Sequence, residues 1–443
     1  MPKIPVTPSA HPLWGAAPIF RKDILAYLVQ HMKEYGEIYE IPLPIRTIIS
    51  IHNAEYIKHV LVSNNKNYIK DIPTRRLSLA LGNGLLTSEG EFWRRQRRIA
   101  QPAFHRERLA AMAQSMVNRT TEMIEVWEKG AATLDISREM MVLTSDIAAQ
   151  TLFGADVDDN DRFGEALVEG MRYITQSFRR IINPPLWVPT SANRRFNKMI
   201  RQQNQTIQTM IDQRRQSTES RPDLLSMLME ARDEESGEGM TDLQLRDEVI
   251  TIFSAGHETS ANGLTWTLYL LSQNPDIRTR MEREVDEVLQ GRLPQVDDVR
   301  RLPYVHQVIQ ESLRLFPPAW AIGREAIGPD EIDGYPIRKK YQILMSSYAL
   351  HRNPRYWQEP DRFEPDRFSP EKVKERHRFA YLPFGGGPRF CIGNNFALME
   401  MQLVLVMISQ RFRIDLVPDH PVKMEPVITL RPMYGMKMRL TNR

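Results

Sequence analysis

One long helical segment near the middle of the 443-residue chain constrains the fold more than any other feature. Thr241 followed by Gln244 is a capping-box pattern, which marks the first turn of a helix. The next stop signal along the chain is Asn274 followed by Pro275. About 32 residues between these signals can be helical, which corresponds to roughly 48 Å at ~1.5 Å per residue. Such a helix must cross the whole molecule, so we expect the other elements to pack around it.

Helical patterns prevail in the rest of the chain, and β-type alternation is confined to regions near its two ends. Apolar residues recur at three- and four-residue spacing over most of residues 92–310, which predicts helices. Alternating apolar positions predict strands before residue 70 and again over residues 327–350. We therefore expect a mainly α fold with small β-sheets. It forms a single domain over residues 1–443, with a β-rich portion at about 1–70 and a helical portion at about 71–443.

The composition excludes several classes of protein. Charged residues make up 26% of the chain and hydrophobic residues 42%, which is close to the soluble globular average and excludes a fibre or a bundle of membrane spans. The net charge is only +4, so no nucleic-acid partner is predicted. No uncharged apolar run reaches the ~20 residues that span a bilayer, and the N-terminus lacks a signal-peptide core. We expect a cytoplasmic monomer without a membrane anchor.

The only cysteine of the chain is Cys391, which excludes an intramolecular disulfide and a Cys-rich zinc or iron–sulfur site. It lies in the run Phe384-Gly-Gly-Gly-Pro-Arg-Phe-Cys-Ile-Gly393, just before a predicted helix from Asn394 to Arg411. Glycines let the backbone approach a large group, and a helix N-terminus favours thiolate over thiol. A thiolate in such a loop suits axial ligation of haem iron. The alternative is a buried structural cysteine, which is the commoner case for a lone cysteine.

Residues 384–393 match the pattern F-G-x-G-x-R-x-C-x-G in full, and the sequence resembles the cytochrome P450 family of haem-thiolate monooxygenases. Further family motifs follow in the right order over nearly the whole chain. The resemblance implies the P450 fold, a triangular helical prism in which the long helix crosses the haem. It also implies haem b as cofactor, Cys391 as the axial iron ligand, and Phe384 and Gly393 as residues at the haem.

A second motif, Glu311-Ser-Leu-Arg314, matches the ExxR pattern of the family. At i and i+3 on a helix the carboxylate and the guanidinium share one face. Taken alone, this is an ordinary surface pair worth about a few tenths of a kcal/mol. The resemblance implies instead a buried structural group, joined by Arg367 from Pro365-Asp-Arg-Phe368, that holds the core around the haem.

A third motif, Trp93-Arg-Arg-Gln-Arg-Arg98, places four arginines in six residues. Helical spacing puts Trp93 and Arg97 on one face, and the family's W-x-x-x-R motif implies that both contact a haem propionate. Arg389 and Arg324 resemble further propionate contacts. The remaining arginines are left for solvent or for an acidic redox partner: Arg94, Arg95 and Arg98.

The middle of the long helix reads Ala255-Gly-His-Glu-Thr259 and matches the family's A/G-G-x-D/E-T motif. A mid-helix threonine can donate to the carbonyl four residues earlier, and a glycine weakens the helix locally, so together they would open a notch. The resemblance implies that Thr259 holds a water or a bound oxygen and that Glu258 supplies protons. A threonine with a satisfied hydroxyl and no catalytic part is the alternative. We expect His257 to make a polar contact and not to ligate iron.

The sequence says less about the substrate. Residues 77–86 are predicted to form a mobile loop before the Trp93 helix. Four small or apolar residues resemble positions that line the family's pocket: Ala255, Ala319, Ala321 and Leu430. Apolar lining favours a lipophilic substrate of the fatty-acid, terpenoid or steroid type. Arg46 lies near the place where some fatty-acid hydroxylases carry a carboxylate anchor, and an ordinary surface arginine is the alternative.

The resemblance implies that the protein inserts one oxygen atom of O2 into its substrate. Electrons would come from NAD(P)H through a separate ferredoxin with its reductase, or through a flavodoxin-type partner. We expect no reductase to be fused to the haem domain of residues 1–443. A peroxide-driven peroxygenase or isomerase is one alternative, but those relatives usually lack the acid–Thr pair formed here by Glu258 and Thr259. A haem-binding sensor without catalysis is the other, and no sensory domain accompanies the chain.

Overall fold

A helix of 32 residues, Asp242–Gln273, forms the centre of the fold. It begins at a capping box, in which Thr241 Oγ1 accepts the Gln244 N–H and Gln244 Oε1 accepts the Thr241 N–H. It ends before Asn274, where Pro275 opens the next helix. The predicted length and both predicted ends are confirmed.

The computed structural model describes residues 2–9, 11, 13–43, 47–130, 132–154, 170, 173–175, 177, 184–217 and 223–443. Arg46 lies outside the described residues, so its part as a carboxylate anchor stays a prediction. The α-helices of the described part are α1 (Ala17–Lys22), α2 (Ile24–Tyr35), α3 (Ala54–Lys58), α4 (Ile72–Arg76), α5 (Ser78–Leu81), α6 (Gly90–Ala100), α7 (Arg106–Lys129), α8 (Ile136–Phe153), α9 (Ser191–Gln216), α10 (Leu224–Glu230), α11 (Asp242–Gln273), α12 (Pro275–Leu289), α13 (Pro303–Leu315), α14 (Ser347–Leu350), α15 (Pro370–Glu375) and α16 (Asn394–Arg411).

Short segments of tighter or wider helix connect these elements. A π-helical turn covers His59–Ser63. Turns of 3-10 helix cover Asn65–Asn67, Gln101–Phe104, Val296–Arg301, Pro365–Phe368, Arg378–Ala380 and Gly387–Arg389. Pro365–Phe368 and Arg378–Ala380 lie in the stretch rich in proline, charge and aromatics that follows α14, and Gly387–Arg389 lies in the loop that carries Cys391.

The strands are short and form four small sheets within the described residues. They are β1 (Ile38–Pro42), β2 (Thr47–Ile51), β3 (Tyr68–Lys70), β4 (Thr133–Asp135), β5 (Ile322–Ala326), β6 (Asp330–Ile332), β7 (Tyr335–Ile337), β8 (Gln342–Met345), β9 (Phe412–Leu416), β10 (Met424–Pro426), β11 (Leu430–Pro432) and β12 (Lys437–Asn442). The sheets have the orders β1-β2-β8-β5-β3, β4-β12-β9, β6-β7 and β10-β11. The predicted mainly α fold with small sheets is confirmed.

The five-stranded sheet joins two distant parts of the chain. Strands β1, β2 and β3 come from the first 70 residues, while β5 and β8 come from residues 322–345. β2 lies parallel to β8, and the other neighbouring pairs are antiparallel. The β-rich N-terminal portion is therefore completed by strands that follow it by more than 250 residues.

The second β region differs in its limits from the prediction over residues 327–350. It already begins at Ile322 with β5. It stops before residue 347, because the Ser346 hydroxyl accepts the Ala349 N–H at 3.2 Å and caps the short helix α14. Within the region, Asp333 and Gly334 both have positive φ angles, 51° and 82°, and form the tight turn between β6 and β7 that an Asp-Gly pair favours.

Helix α16 crosses α11 at close range. A Cβ atom added to Gly263 would lie 2.7 Å from Met401 Sδ, so only glycine fits there without displacing the methionine. Next to this contact, the buried side chains of Ser260 of α11 and Glu400 of α16 lie beside each other. The crossing thus fixes the cysteine loop, which immediately precedes α16, to the middle of the central helix. No helix of the described residues combines the length and the apolar character that a membrane span requires.

Candidate active site

The cysteine loop, residues 384–393, is held in one conformation by its glycines and by backbone hydrogen bonds. Gly385 and Gly387 have φ angles of +73° and +67°, and a Cβ atom on Gly387 would approach the Leu61 carbonyl oxygen to 2.1 Å. The Cys391 N–H donates to the Phe384 carbonyl at 3.0 Å. Helix α16 begins directly after Gly393, so the loop presents the cysteine at a helix N-terminus.

The surroundings of the Cys391 thiol do not favour the thiolate, although the cysteine lies at a helix N-terminus. Burial raises the pKa of Cys391, and the Gly393 amide and the Arg97 guanidinium only partly oppose it. The side chain nevertheless retains accessible surface, as a thiol on the wall of an internal cavity does. The protein by itself favours the thiol, and a metal cation bound to sulfur would deprotonate it.

Arg97 lies beside the thiol and is engaged with the loop. Its Nη1 donates to the Phe390 carbonyl at 3.0 Å, and its Nε donates to Gln101 Oε1 at 3.0 Å. Burial lowers the pKa of Arg97, while Cys391 raises it. The structure therefore places Arg97 as a support of the cysteine loop, with its Nη2 left for the predicted propionate contact.

A group of buried and half-buried charges, which we call the cationic cluster, lies next to this loop. It consists of Lys70, Arg324, Arg389, Glu89 and Asp71. Arg389 pairs with Glu89 and donates to the Ser88 carbonyl at 2.8 Å. Glu89 also accepts the Lys70 backbone N–H at 2.6 Å. Three cations face two carboxylates, so one positive charge is left over, and burial, followed by Arg324 and Arg389, holds the pKa of Lys70 well below its usual range.

The middle of α11 carries the features that its sequence predicts. Thr259 Oγ1 donates to the Ala255 carbonyl at 2.7 Å. Ala255 is exposed and a Cβ atom on Gly256 would meet nothing within 4 Å, although the helix is otherwise mostly buried. His257 points elsewhere: it is buried, its ring contacts the Phe253 carbonyl at 2.8 Å, and burial lowers its pKa. The continuous helix thus has an accessible face at Ala255 and Gly256, which we call the notch, and His257 makes the polar contact that we expected.

Two distant segments dock on α11 on either side of this notch. Before it, the Asn83 N–H donates to Asp247 Oδ2 at 2.7 Å and the Leu85 N–H donates to Glu248 Oε2 at 3.0 Å. After it, Thr429 donates to Glu258 at 2.6 Å. The notch is therefore bordered by the loop before α6 and by the turn between β10 and β11.

The loop over residues 77–86 is more firmly packed than the predicted mobile loop. Leu77, Leu81 and Leu85 are buried in the main core. The backbone contacts to Asp247 and Glu248 add hydrogen bonds that the sequence pattern could not indicate. The segment borders the notch as a fixed wall.

The predicted pocket residues fall into two groups. Ala319 and Ala321 keep accessible surface, as Ala255 does. Leu430 has no accessible surface and packs in a separate cluster with Leu25 and Tyr348, so it cannot touch a ligand. Its backbone instead ties the turn: the Leu430 N–H donates to the Pro318 carbonyl at 2.9 Å.

Glu311, Arg314 and Arg367, the ion triad, are brought together as the sequence predicts. Arg314 donates to both Glu311 oxygens at 2.7 and 2.8 Å, and both side chains are fully buried. Arg367 Nε lies 3.3 Å from Glu311 Oε1, an ion pair without hydrogen-bond geometry. Arg314 also donates to three backbone carbonyls of the connector before the cysteine loop, at His351, Pro360 and Arg362.

The remaining arginines of α6 are paired within the protein. Arg98 contacts Asp233 at 2.9 Å and Glu235 at 2.8 Å, and Arg95 donates to the Gly239 carbonyl at 2.9 Å. Arg94 pairs with Glu91 on the same helix. The loop over residues 233–239 therefore neutralises much of the charge that we had left for solvent or for an acidic redox partner.

A cavity of about 550 Å³ lies away from this site, at the N-terminal end of α11. Arg95, Arg215 and Arg232 line it. Arg215 pairs with Asp242, and Arg232 donates to three neighbouring carbonyls. Ala255 lies about four helical turns further along, so this cavity is not part of the notch.

Comparison with known proteins decides the family. The family model for cytochrome P450 matches residues 5–438. Cyclooctatin synthase of Streptomyces melanosporofaciens is 38% identical over 435 residues, which cover 96% of this chain and 93% of that protein. The chain belongs to the cytochrome P450 family.

Two further comparisons support the fold and the reaction class of this P450. Cyclooctat-9-en-7-ol 5-monooxygenase of the same organism is 36% identical over 420 residues, which cover 93% of this chain and 89% of that protein. The crystal structure of the cytochrome P450DA heme domain matches with a TM-score of 0.92 at 28% identity, covering 100% of this chain and 98% of that one. The predicted P450 fold is confirmed, and the protein is a haem-thiolate monooxygenase.

The residues around the cysteine loop fit the haem that the family implies. The ammonium group of Lys70 is buried but makes no hydrogen bond to any described residue. The indole N–H of Trp93 likewise has no acceptor in the described part of the chain, while Arg389 covers its ring at 3.8 Å. Haem carries two propionate carboxylates, to which an unpartnered ammonium and an indole N–H can donate. An accessible thiol, supported by Gly393 and Arg97, supplies the iron ligand.

Sequence reasoning missed Lys70 and Glu89 in this part of the site. Lys70 shares one face of β3 with Tyr68, and both are buried. A lysine at an inward-facing position of a short strand is uncommon, and this alternation was the available signal. Glu89 carried no such signal, because its position beside Arg389 depends on contacts across 300 residues.

Proposed function

We propose that this P450 oxygenates a terpenoid-type compound with O2, using electrons that a separate partner delivers from NAD(P)H. The names of the two curated relatives support the substrate class, since one synthesises cyclooctatin and the other acts on cyclooctat-9-en-7-ol. The uncharged residues with accessible surface, Ala255, Ala319 and Ala321, agree with a lipophilic ligand. The observation that carries the proposal is the identity of 36–38% to these relatives over more than nine-tenths of the chain.

In this proposal the chain holds the haem from two sides. Cys391 ligates the iron, and the Gly393 amide and Arg97 stabilise its negative charge. Lys70 and Trp93 donate to the propionates, and Arg324 and Arg389 add positive charge beside them. The haem supplies the chemistry of oxygen activation when it is bound.

The distal residues orient water and move protons. Because Thr259 Oγ1 already donates its proton to the Ala255 carbonyl, its lone pairs remain free to accept a hydrogen bond from a water in the notch. Glu258 lies one residue away, and only its Oε1 is engaged by Thr429. Its Oε2 is therefore the atom that exchanges protons with such a water. The partly accessible apolar side chains of Leu86 and Ala319 would limit the access of other water to the reacting carbon.

The first experiment is the reduced, carbon-monoxide-bound difference spectrum of the wild type and of Cys391→Ser. We expect a strongly red-shifted Soret band in the wild type and its loss in the variant, because only a thiolate ligand gives that band. An unshifted wild-type band, or a shifted band that survives in Cys391→Ser, contradicts thiolate ligation by this residue.

The substrate class is tested on the same holoenzyme by titration with farnesol, lauric acid and testosterone. We expect farnesol to give the largest high-spin shift and an oxygenated product with NADPH, a ferredoxin and its reductase. A larger response to lauric acid or testosterone contradicts the terpenoid class. Product formation with peroxide alone favours the peroxygenase alternative, and binding without turnover under every electron supply favours the sensor.

Three finer points stay predictions. The separate partner is expected to be a ferredoxin or a flavodoxin-type protein. The protein is expected to be a monomer and to lie in the cytoplasm.

A further inference from the structure

We propose that Thr429, supported by Asn262, is a positioning residue that holds the carboxylate of Glu258 in one place beside the notch. This inference rests on the proposed function, in which Glu258 transfers protons. Thr429 Oγ1 donates to Glu258 Oε1 at 2.6 Å, and Asn262 Nδ2 donates to Thr429 Oγ1 at 3.2 Å. Neither Thr429 nor Asn262 belongs to the motifs that identify the family.

The hydrogen bonds of this group run in one direction. A threonine hydroxyl has one proton, and that of Thr429 is directed to Glu258 because its lone pair is taken by the Asn262 amide. Both residues are buried, at 6% and 1% exposure, so water does not compete for these groups. The two donors therefore form a chain in which Asn262 orients the Thr429 hydroxyl and the hydroxyl donates to the carboxylate oxygen. A charge-assisted bond of this kind is stronger than a neutral one.

The turn that carries Thr429 is itself fixed on both sides. Trp266 of α11 donates its indole N–H to the Leu430 carbonyl at 3.0 Å. Trp320 donates its indole N–H to the Val427 carbonyl at 3.0 Å. Thr429 consequently keeps its distance to α11, and Glu258 is anchored to a rigid support and not to a free loop.

Anchoring Oε1 has a consequence for the other carboxylate oxygen. With Oε1 bound to Thr429, rotation of the Glu258 carboxylate is restricted and Oε2 keeps one direction. The same turn contains Ile428, which is partly accessible and packs against the main core beside the notch.

The test compares Thr429→Val with Thr429→Ser in the haem-loaded protein. Valine keeps the volume of threonine but cannot donate, whereas serine restores the hydroxyl. Thr267→Val is the matched control, because Thr267 is a buried threonine whose hydroxyl donates only to the Gly263 carbonyl of its own helix. The carboxylate stretching band of Glu258, assigned by its absence in Glu258→Gln, is recorded by infrared difference spectroscopy. We expect a shifted band in Thr429→Val and the wild-type band in Thr429→Ser and Thr267→Val.

Turnover gives a second measurement, with farnesol as the probe. We expect product formed per NADPH to fall at least about threefold in Thr429→Val, with more peroxide released, and to recover in Thr429→Ser. Adding Thr429→Val to Glu258→Gln should change nothing further, since the acid is already absent. An infrared band in Thr429→Val that equals the wild-type band, or a loss of coupling that persists in the Glu258→Gln background, overturns the proposal.

The two measurements separate this inference from the proposed function. If no variant oxygenates farnesol although every spectrum shows thiolate ligation, the substrate proposal fails, while the infrared band still decides whether Thr429 positions Glu258. If the band shifts as expected and farnesol is oxygenated, both stand.

Discussion

The buried ion triad and the partly buried cationic cluster are both groups of charge, but they differ in whether the chain itself satisfies them. In the ion triad every donor of Arg314 reaches a carboxylate or a backbone carbonyl. In the cationic cluster three cations share two carboxylates, and the ammonium group of Lys70 has no partner among the described residues. The difference indicates which group serves the fold and which serves a ligand.

The ion triad has a desolvation cost that is offset by contacts within the protein. Burying an ion pair requires removal of its water, and this is offset only when the geometry is good and the remaining polar atoms are bonded. Glu311 meets this condition, because it also accepts the Glu364 N–H at 2.9 Å. Among the described residues, Arg367 Nε is the one buried atom of the triad that lacks a hydrogen bond, and it still lies 3.3 Å from Glu311 Oε1. The chain itself therefore supplies the charged partners of the triad, which joins α13 to the connector before the cysteine loop.

The cationic cluster keeps an excess positive charge that no group of the described residues neutralises. Burial and the like charges of Arg324 and Arg389 lower the pKa of Lys70, which means that its charged form is disfavoured. An anion placed beside it reverses this, and haem brings two. A cluster that its own chain leaves with excess charge is thus adapted to a charged ligand.

We expect the largest loss of stability from Glu311→Ala, which removes the carboxylate of the ion triad. Arg314 would keep its buried charge without a carboxylate, which costs about 3–5 kcal/mol. That is a large part of the ~5–15 kcal/mol by which a domain is stable. We expect little folded protein with or without haem, measured by expression and by chemical unfolding.

The matched control for this variant is Glu122→Ala. Glu122 pairs with Arg119 at the same helical spacing and 2.9 Å, but it is 60% exposed. Its loss should change the free energy of unfolding by less than ~1 kcal/mol. Equal effects of the two substitutions would show that burial does not distinguish the triad from a surface pair.

A second buried acid sharpens the comparison, because Glu400 has no cation beside it. Burial raises its pKa from 4.5 to about 8, and the nearby Ser260 hydroxyl only partly opposes this. A carboxyl group with a raised folded-state pKa stabilises the protein fully below pH 4.5 and loses this contribution as the pH rises to about 8. At ~1.4 kcal/mol per pKa unit the change amounts to a few kcal/mol.

Glu400→Gln should remove this pH dependence, since glutamine resembles the protonated acid and does not ionise. We expect the unfolding free energy of the variant to fall less than that of the wild type between pH 4.5 and 8. Parallel stability curves for the two proteins would contradict an acid that is protonated in the folded state.

The substitution Lys70→Met in the cationic cluster should stabilise the apoprotein against unfolding but should weaken the binding of haem. Removing a buried, unpartnered charge should raise the unfolding free energy of the apoprotein by about 1 kcal/mol. The loss of one propionate contact should speed haem release about tenfold, which corresponds to ~1.4 kcal/mol. Haem transfer to an excess of apomyoglobin measures the release rate, and Lys58→Met, at an exposed lysine, is the control. A loss of apoprotein stability in Lys70→Met would show that Lys70 stabilises the fold, as the ion triad does, and is not kept for a ligand.

The smallest effect is expected from Trp93→Phe. Phenylalanine keeps the aromatic ring under Arg389 but lacks the indole N–H, so only the predicted propionate hydrogen bond is lost. Such a bond contributes about 0.5–1.5 kcal/mol, and haem release should become a few times faster. The same transfer assay checks this, and an unchanged rate would mean that the indole N–H has no part in holding haem.

Sequence alone determined the elements whose causes are local. The capping box and the Asn274 stop predicted both ends of α11, and the glycines around Cys391 predicted a loop whose backbone can approach a large group. The spacing of Glu311 and Arg314 placed both on one helical face. In each case the signal and its effect lie within a few residues of each other.

Only the tertiary structure decided the contacts between remote segments. Leu85 reaches Glu248 across 163 residues, and Thr429 reaches Glu258 across 171. No local pattern shows that Leu430 is buried with Leu25, or that Lys70 faces two arginines. These positions follow from how helices and strands pack, because burial and charge pairing depend on neighbours that the order of residues does not reveal.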